Sequence, residues 1–218
     1  MMDSNGAMVD MLKRRGFVRT PRVEGAFRAV DRAVFVPMPH ATDAYEDTPL
    51  SIGDGQTISA PSMVAIMLEA ADLAPGQRVL EVGTGSGYNA CLLAAATGGT
   101  VVTIERIPAL YKRAEDVVHR LFPSVHMVLG DGTLGEPARA PYDRILVTAA
   151  APAFPSPLID QLAPQGKILA PVGSPGEAQV LMMGTKLPDG TLQTVRDVWC
   201  RFVPLIGRHG FPGGEEGA

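Results

Sequence analysis

Residues 79–90 read VLEVGTGSGYNA, a strand, a glycine turn and a helix start within one short stretch. Val79, Leu80 and Val82 form the apolar strand. Gly83, Gly85 and Gly87 let the backbone turn sharply and approach a ligand closely, because no Cβ stands in the way. The helix predicted from about Tyr88 to Ala96 points its N–H-rich end back at that turn. A lone glycine turn is weak evidence, but two more strand ends accompany it. VVTIE (101–105) reads as a second buried strand ending in an acid, and VHMVLGDG (125–132) as a third ending in another.

The spacing separates two kinds of nucleotide site. A dinucleotide site wants G-x-G-x-x-G, whose third glycine packs a helix beneath a pyrophosphate. This chain has G-x-G-x-G, and Glu81 precedes it inside the strand. A carboxylate aimed at the turn repels a pyrophosphate and suits a ligand with an amino or sulfonium charge. Glu105 can accept hydrogen bonds from both hydroxyls of a ribose, and Asp131 lies where an adenine amino group can be held. S-adenosylmethionine fits all three positions; NAD fails at the first. The bland reading is a strand–helix turn with capping acids.

At 218 residues the chain suits one α/β domain with a small N-terminal addition. With 46% hydrophobic and 19% charged residues the composition is that of a globular protein. A net charge of −4 argues against a nucleic-acid surface, and the basic cluster Lys13, Arg14, Arg15 and Arg19 reads as a solvated helix end. Cys91 and Cys200 sit in separate apolar runs and read as reduced core residues. No run of about 18 apolar residues or signal-peptide pattern is seen, so a protein of the cytoplasm without membrane association is expected. His40, His119, His126 and His209 show no metal-ligand spacing, and no metal is expected.

Three parts follow along the chain. Residues 1–60 are read as N-terminal helices and a loop packed on the core, 61–207 as the core, and 208–218 as a disordered tail. MVDMLKRRGF predicts one helix stopping at Gly16, and RVEGAFRAV a second behind Thr20-Pro21. Residues 37–59 show no period and read as a long ordered loop. A helix is predicted from Pro61 to about Asp72, with Met63, Ile66, Met67 and Ala70 as its core face. Beyond it strand and helix patterns alternate, the mark of a doubly wound, mainly parallel sheet covered on both faces. DRILVTAA (143–150) is a fourth strand, Pro155–Leu162 a short helix and GKILAPVG (166–173) a fifth strand. Residues 178–187 and 192–203 read as a closing antiparallel pair around Pro188-Asp189-Gly190.

The chain resembles the protein-L-isoaspartate O-methyltransferases from about residue 8 to residue 207. The segments that carry the resemblance are AYEDTPLSIGDGQTISAP (44–61), EVGTGSGYNA (81–90), GDGTLG (130–135), APYDRILVTAAAP (140–152), LIDQLAPQGKILAPVG (158–173) and RFVPLIG (201–207). The first and last have no role in generic cofactor binding. Small departures fall at Pro164-Gln165-Gly166, Leu50-Ser51-Ile52 and Ser62-Met63, away from the expected cofactor contacts. The resemblance implies a Rossmann-like fold dependent on S-adenosylmethionine, with S-adenosylhomocysteine as product. It implies cofactor contacts at Glu81, Gly83, Thr84, Gly85, Ser86, Gly87, Glu105, Asp131 and Gly132. Thr57, Ile58, Ser59 and Val203 are the implied substrate contacts, with Ser59 the catalytic residue, and isoaspartyl proteins and peptides the implied partners. A monomer is expected.

The implied nucleophile is the α-carboxylate of an isoaspartyl residue. With a pKa of ~4 it is ionised at neutral pH and needs no general base, which suits a segment 44–61 offering Thr57 and Ser59 and no histidine. Ser59, two residues before Pro61, reads from the residues alone as evenly balanced between helix cap and substrate contact. The match to the family's TIS-x-P segment favours substrate contact. Three other readings stay open: an enzyme dedicated to one biosynthetic peptide, an inactive cofactor-binding module, and a small-molecule methyltransferase. The last has no reason to carry residues 44–61.

Overall fold

Ser4 opens the first helix, α1 (Asn5–Arg14), by accepting the Ala7 amide at 3.2 Å. Thr20 opens α2 (Pro21–Ala29) in the same way, with Pro21 in its first turn as the sequence predicts. This computed structural model describes residues 4–213. A 3₁₀ turn at Met38–Asp43 follows, then a hairpin of β1 (Leu50–Gly53) and β2 (Gln56–Ile58). The segment expected as loop therefore holds regular structure. Its strands are too short to show a period, while Gly53, Asp54 and Gly55 all take positive φ and close the turn.

The helix α3 (Pro61–Ala71) begins as expected, but its buried face is Val64, Met67, Leu68 and Ala71. Of the expected face, Met67 is buried as predicted, while Met63, Ile66 and Ala70 are only partly buried and pack at the edge of the core. The N-cap position is Ala60, which makes no side-chain bond. Instead the Asp47 carboxylate accepts from the Ser62 amide at 2.9 Å. Capping, the bland role for Ser59, falls to another residue.

The rest alternates as β3 (Val79–Val82), α4 (Tyr88–Thr97), β4 (Val101–Glu105), α5 (Pro108–Leu121), β5 (His126–Leu129), β6 (Tyr142–Val147), α6 (Ser156–Asp160), β7 (Leu162–Val172), β8 (Gln179–Lys186) and β9 (Leu192–Cys200). These strands form one sheet in the order β5-β4-β3-β6-β7-β8-β9. The pairs from β5 to β7 are parallel, and β7, β8 and β9 make an antiparallel meander. Both faces are covered. Val79, Val101, Leu146 and Leu169 pack toward the first five helices, while Leu80, Val102, Ile145 and Ile168 pack toward α6 and Leu205. That alternation explains strands with no polar face. The fifth strand starts earlier than predicted, at Leu162, because a register irregularity between Tyr142 and Arg144 absorbs the extra residues.

Two features tie the periphery to this sheet. Phe27 and Phe35 meet Tyr88 of α4 at ring-centroid distances of 6.2 and 5.4 Å, which docks the N-terminal segment. The predicted disorder of 208–218 does not hold for 208–213. There the Arg208 amide donates to Asp131 at 2.8 Å and the Phe211 amide to the Leu205 carbonyl at 2.7 Å. Residues 214–218 lie outside the described residues.

Buried Arg144 on β6 closes the C-terminal end of α3, donating to the carbonyls of Ala71 and Asp72. Arg144→Met leaves both acceptors unpaired, at a cost of about 2–3 kcal/mol. Urea unfolding checks this; a loss below about 0.5 kcal/mol contradicts the assignment.

Candidate active site

The strand order reverses beside β3: β4 and β5 lie on one side, β6 and β7 on the other. Open α/β sheets bind ligands at the carboxyl ends of the strands at such a point. A cleft of about 720 Å³ lies there, with Gly83, Gly85, Glu105, Ile107, Gly132 and Thr148 in its wall.

Glu105 ends β4 and is almost fully buried, with 5% exposure. One carboxylate oxygen accepts the Gly85 amide at 2.9 Å and the other the Ile107 amide at 2.9 Å. The acid thus binds the glycine turn to the strand end while lining the cleft. On the other side of β3, the Thr148 hydroxyl lies 2.8 Å from the Gly83 carbonyl oxygen and 3.0 Å from that of Val82. A Cβ on Gly83 would strike this hydroxyl. Gly83 is therefore required first by its own neighbour, not only by a ligand. Gly85, with φ +54°, has only Ile52 Cδ1 near its missing Cβ, at 3.5 Å. Gly87 does not line the cleft: a Cβ there would meet Val118 of α5.

Glu81 is fully buried beneath the turn. Asn89 donates to it at 2.8 Å, Thr103 donates to its other oxygen, and Thr84 lies 2.6 Å from Thr103. Burial pushes the Glu81 carboxyl up to about 7, against these hydrogen bonds, and the neighbouring Glu105 charge adds to the rise. Glu81, Thr84, Ser86 and Asn89 line a second cavity of about 460 Å³ beside the first.

Asp131 is engaged elsewhere. It accepts the Thr133 amide at 2.9 Å, the Thr133 hydroxyl at 2.6 Å and the Arg208 amide at 2.8 Å. Burial works to raise its pKa, yet these bonds hold the carboxyl below its usual value. Its neighbour Gly132, not Asp131, lines the cleft.

A third cavity of about 540 Å³ is bounded by Thr57, Ser59, Met63, Arg201, Phe202 and Val203. The 201–207 segment reaches it through a backbone ladder: the Ala150 amide donates to the Val203 carbonyl, and the Leu205 amide to the Ala150 carbonyl, both at 2.7 Å. Thr57 and Thr148 line all three cavities, so they mark the junction. Ser59 lines the second and third, Val203 the first and third, and Ile58 the second. Sequence reading missed Thr148, Thr103 and Asn89. Thr148 was open to discovery, since it directly follows β6 as the glycine turn follows β3. Among the described residues no group of three or more His, Cys, Asp or Glu is placed to hold a metal.

Fold and cleft define a Rossmann-like protein of the methyltransferase type. The family model of the protein-L-isoaspartate(D-aspartate) O-methyltransferases matches residues 3–210. A protein-L-isoaspartate O-methyltransferase of Pyrococcus horikoshii is 50% identical over 204 residues, covering 93% of each chain. One of Thermococcus onnurineus is 49% identical over 205 residues, again with 93% of each covered. A crystal structure given as a protein-L-isoaspartate O-methyltransferase of Plasmodium falciparum, in complex with S-adenosyl-L-homocysteine, superposes with a TM-score of 0.84 at 28% identity, covering 94% of this chain and 99% of that one. The chain belongs to the protein-L-isoaspartate(D-aspartate) O-methyltransferase family.

The raised Glu81 pKa has a sign that can be tested. The folded value, about 7, exceeds the unfolded value near 4.5. The contribution of Glu81 to stability is therefore fully present below the unfolded value and is lost as pH rises through about 7. Without ligand, the wild type should lose stability relative to Glu81→Gln between pH 5 and pH 8 in urea titrations. Parallel profiles contradict the raised value.

Proposed function

We propose that the protein methylates the free α-carboxylate of L-isoaspartyl residues in damaged proteins and peptides, using S-adenosylmethionine. The observation that carries this reading is the junction at Thr57 and Thr148. There the cavity bounded by the family-specific segments 44–61 and 201–207 meets the cleft of the glycine turn. Among the described residues no helix is long and apolar enough to cross a membrane.

The donor set suits the cofactor. Glu105 presents acceptors for a ribose diol, the backbone at Gly83–Gly85 leaves room for a close approach, and the Glu81 carboxylate, which a bound cation would draw into its ionised form, favours a cationic amino-acid end. Thr84 and Ser86 complete that end, Gly132 forms the wall on the adenine side, and Asp131 holds Gly132 and residue 208 in place. Gly87 serves the turn through its packing on α5. S-adenosylmethionine supplies an electrophilic methyl on a sulfonium.

The protein's own part is alignment and removal of water. The substrate carboxylate is ionised at neutral pH, so no base is needed. Ser59 donates its hydroxyl to that carboxylate, Thr57 supports it, and Ile58 and Val203 exclude water. The methyl ester product carries a better leaving group than hydroxide, and the next backbone nitrogen closes a succinimide without further catalysis. Hydrolysis of the ring returns some normal aspartate. We further take the enzyme to act as a monomer in the cytoplasm. Burial in the core keeps the Cys91 thiol protonated, its pKa pushed up to about 12.

The test is transfer of labelled methyl to an isoaspartyl peptide against its normal-aspartyl twin. Labelling of the isoaspartyl peptide alone is expected; equal labelling, or none, overturns the reading. Ser59→Ala removes a hydrogen bond to a charged group, and turnover should fall roughly 10- to 150-fold, about 1.5–3 kcal/mol. Its melting temperature and affinity for S-adenosylhomocysteine should stay near wild type, because Asp47 serves the α3 terminus. A fall in stability alone rejects the catalytic role.

A further inference from the structure

Arg32 is fully buried, in a 3₁₀ turn well before the loop that carries Ser59. Its Nη1 donates to the Ala44 carbonyl, and its Nη2 donates to the carbonyls of Thr48 and Ser59, each at 3.1 Å. One side chain thus joins the start, middle and end of the segment 44–59. A buried cation is costly, and a planar guanidinium is the side chain whose donors can reach three carbonyls in fixed directions at once. Burial lowers its pKa to about 10, with the Asp47 carboxylate acting in the opposite direction, so it stays cationic at neutral pH.

We propose that Arg32 is a positioning residue for methyl transfer: its guanidinium holds the Ser59 backbone so that the Ser59 hydroxyl faces the junction of the substrate and cofactor cavities. The inference rests on the proposed role of Ser59. The surroundings fit it. The N-cap position of α3 is Ala60, so Ser59 is not held as its cap. Other restraints on the segment act at other residues: Tyr45 donates to Asp31, Asp47 takes Arg15 and the Ser62 amide, Ile58 pairs with Leu50 in the hairpin, and Arg113 holds Asp54 and the Ile52 carbonyl. Among the described residues, Arg32 donates a side-chain hydrogen bond to Ser59 itself. Glu105 and Thr148, which shape the cofactor cleft, make no hydrogen bond to it. Loss of Arg32 should therefore act on substrate alignment and leave the cofactor cleft in place.

The test is a double-mutant cycle on the full chain with an isoaspartyl peptide, read per folded molecule, with S-adenosylhomocysteine affinity measured on each variant. Arg32→Met should lower kcat/KM by about 10-fold or more, and no further than Ser59→Ala does, while the dissociation constant for S-adenosylhomocysteine changes less than about threefold. Arg32→Lys, which keeps the charge without the fork, should fall between. On the Arg32→Met background, Ser59→Ala should cost less than about threefold more, because the hydroxyl is already misplaced. If Arg32→Met does not fold, the same cycle with Arg32→Lys is decisive. Multiplicative losses, or a lower melting temperature with kcat/KM unchanged, overturn the proposal. Should the wild type itself fail to label the isoaspartyl peptide, the functional reading falls instead, and the two failures are distinct.

Discussion

The site depends on one carboxylate. Glu105 accepts the Gly85 amide from the turn after β3 and the Ile107 amide from the start of α5. Two loops that must both approach a ligand are thereby fixed to one strand end. Such charge-assisted bonds, made almost out of solvent, set the width of the cleft before any ligand arrives. Thr148 completes the clamp from the opposite strand, and its hydroxyl fills the space that makes Gly83 obligatory.

Around this clamp the substrate elements are brought in from both ends of the chain. The C-terminal segment arrives by extending the backbone pairing beyond β6, through Ala150 with Val203 and Leu205. The N-terminal segment arrives by side-chain anchoring: Arg32 on three loop carbonyls, Asp47 on the start of α3 and Arg113 on the hairpin. The difference has a physical cause. A chain prolonged beyond a strand end offers regular partners, whereas the irregular stretches on either side of the β1–β2 hairpin need individual donors for their carbonyls.

The central strands and the glycine turn were legible because unbroken apolar runs ending in an acid have few alternatives in an α/β chain. Strand β4 at Val101–Glu105 matches its expected span. The hairpin at 50–58 was not, since strands of three or four residues carry no period, although Asp54-Gly55 marked its turn. The buried face of α3 was misread because its apolar residues surround the whole helix, so periodicity cannot choose a side. Glu81 and Glu105 could be placed from sequence because each sits on a strand of known direction. Asp131 could not, because its partners Thr133 and Arg208 include a segment 77 residues away. Thr103 and Asn89 show no signal of their own, as hydrogen bonds to a buried acid leave no spacing pattern.

The central claim is that cofactor and substrate cavities meet at Thr57 and Thr148, with Ser59 facing the reacting carboxylate. A crystal structure with S-adenosylhomocysteine and an isoaspartyl peptide bound together tests it most directly. The account predicts ribose hydroxyls on Glu105, the sulfur beside the junction, and the isoaspartyl α-carboxylate within hydrogen-bonding distance of the Ser59 hydroxyl. A carboxylate bound away from Ser59, or a cofactor outside the Gly83–Gly85 turn, would contradict it.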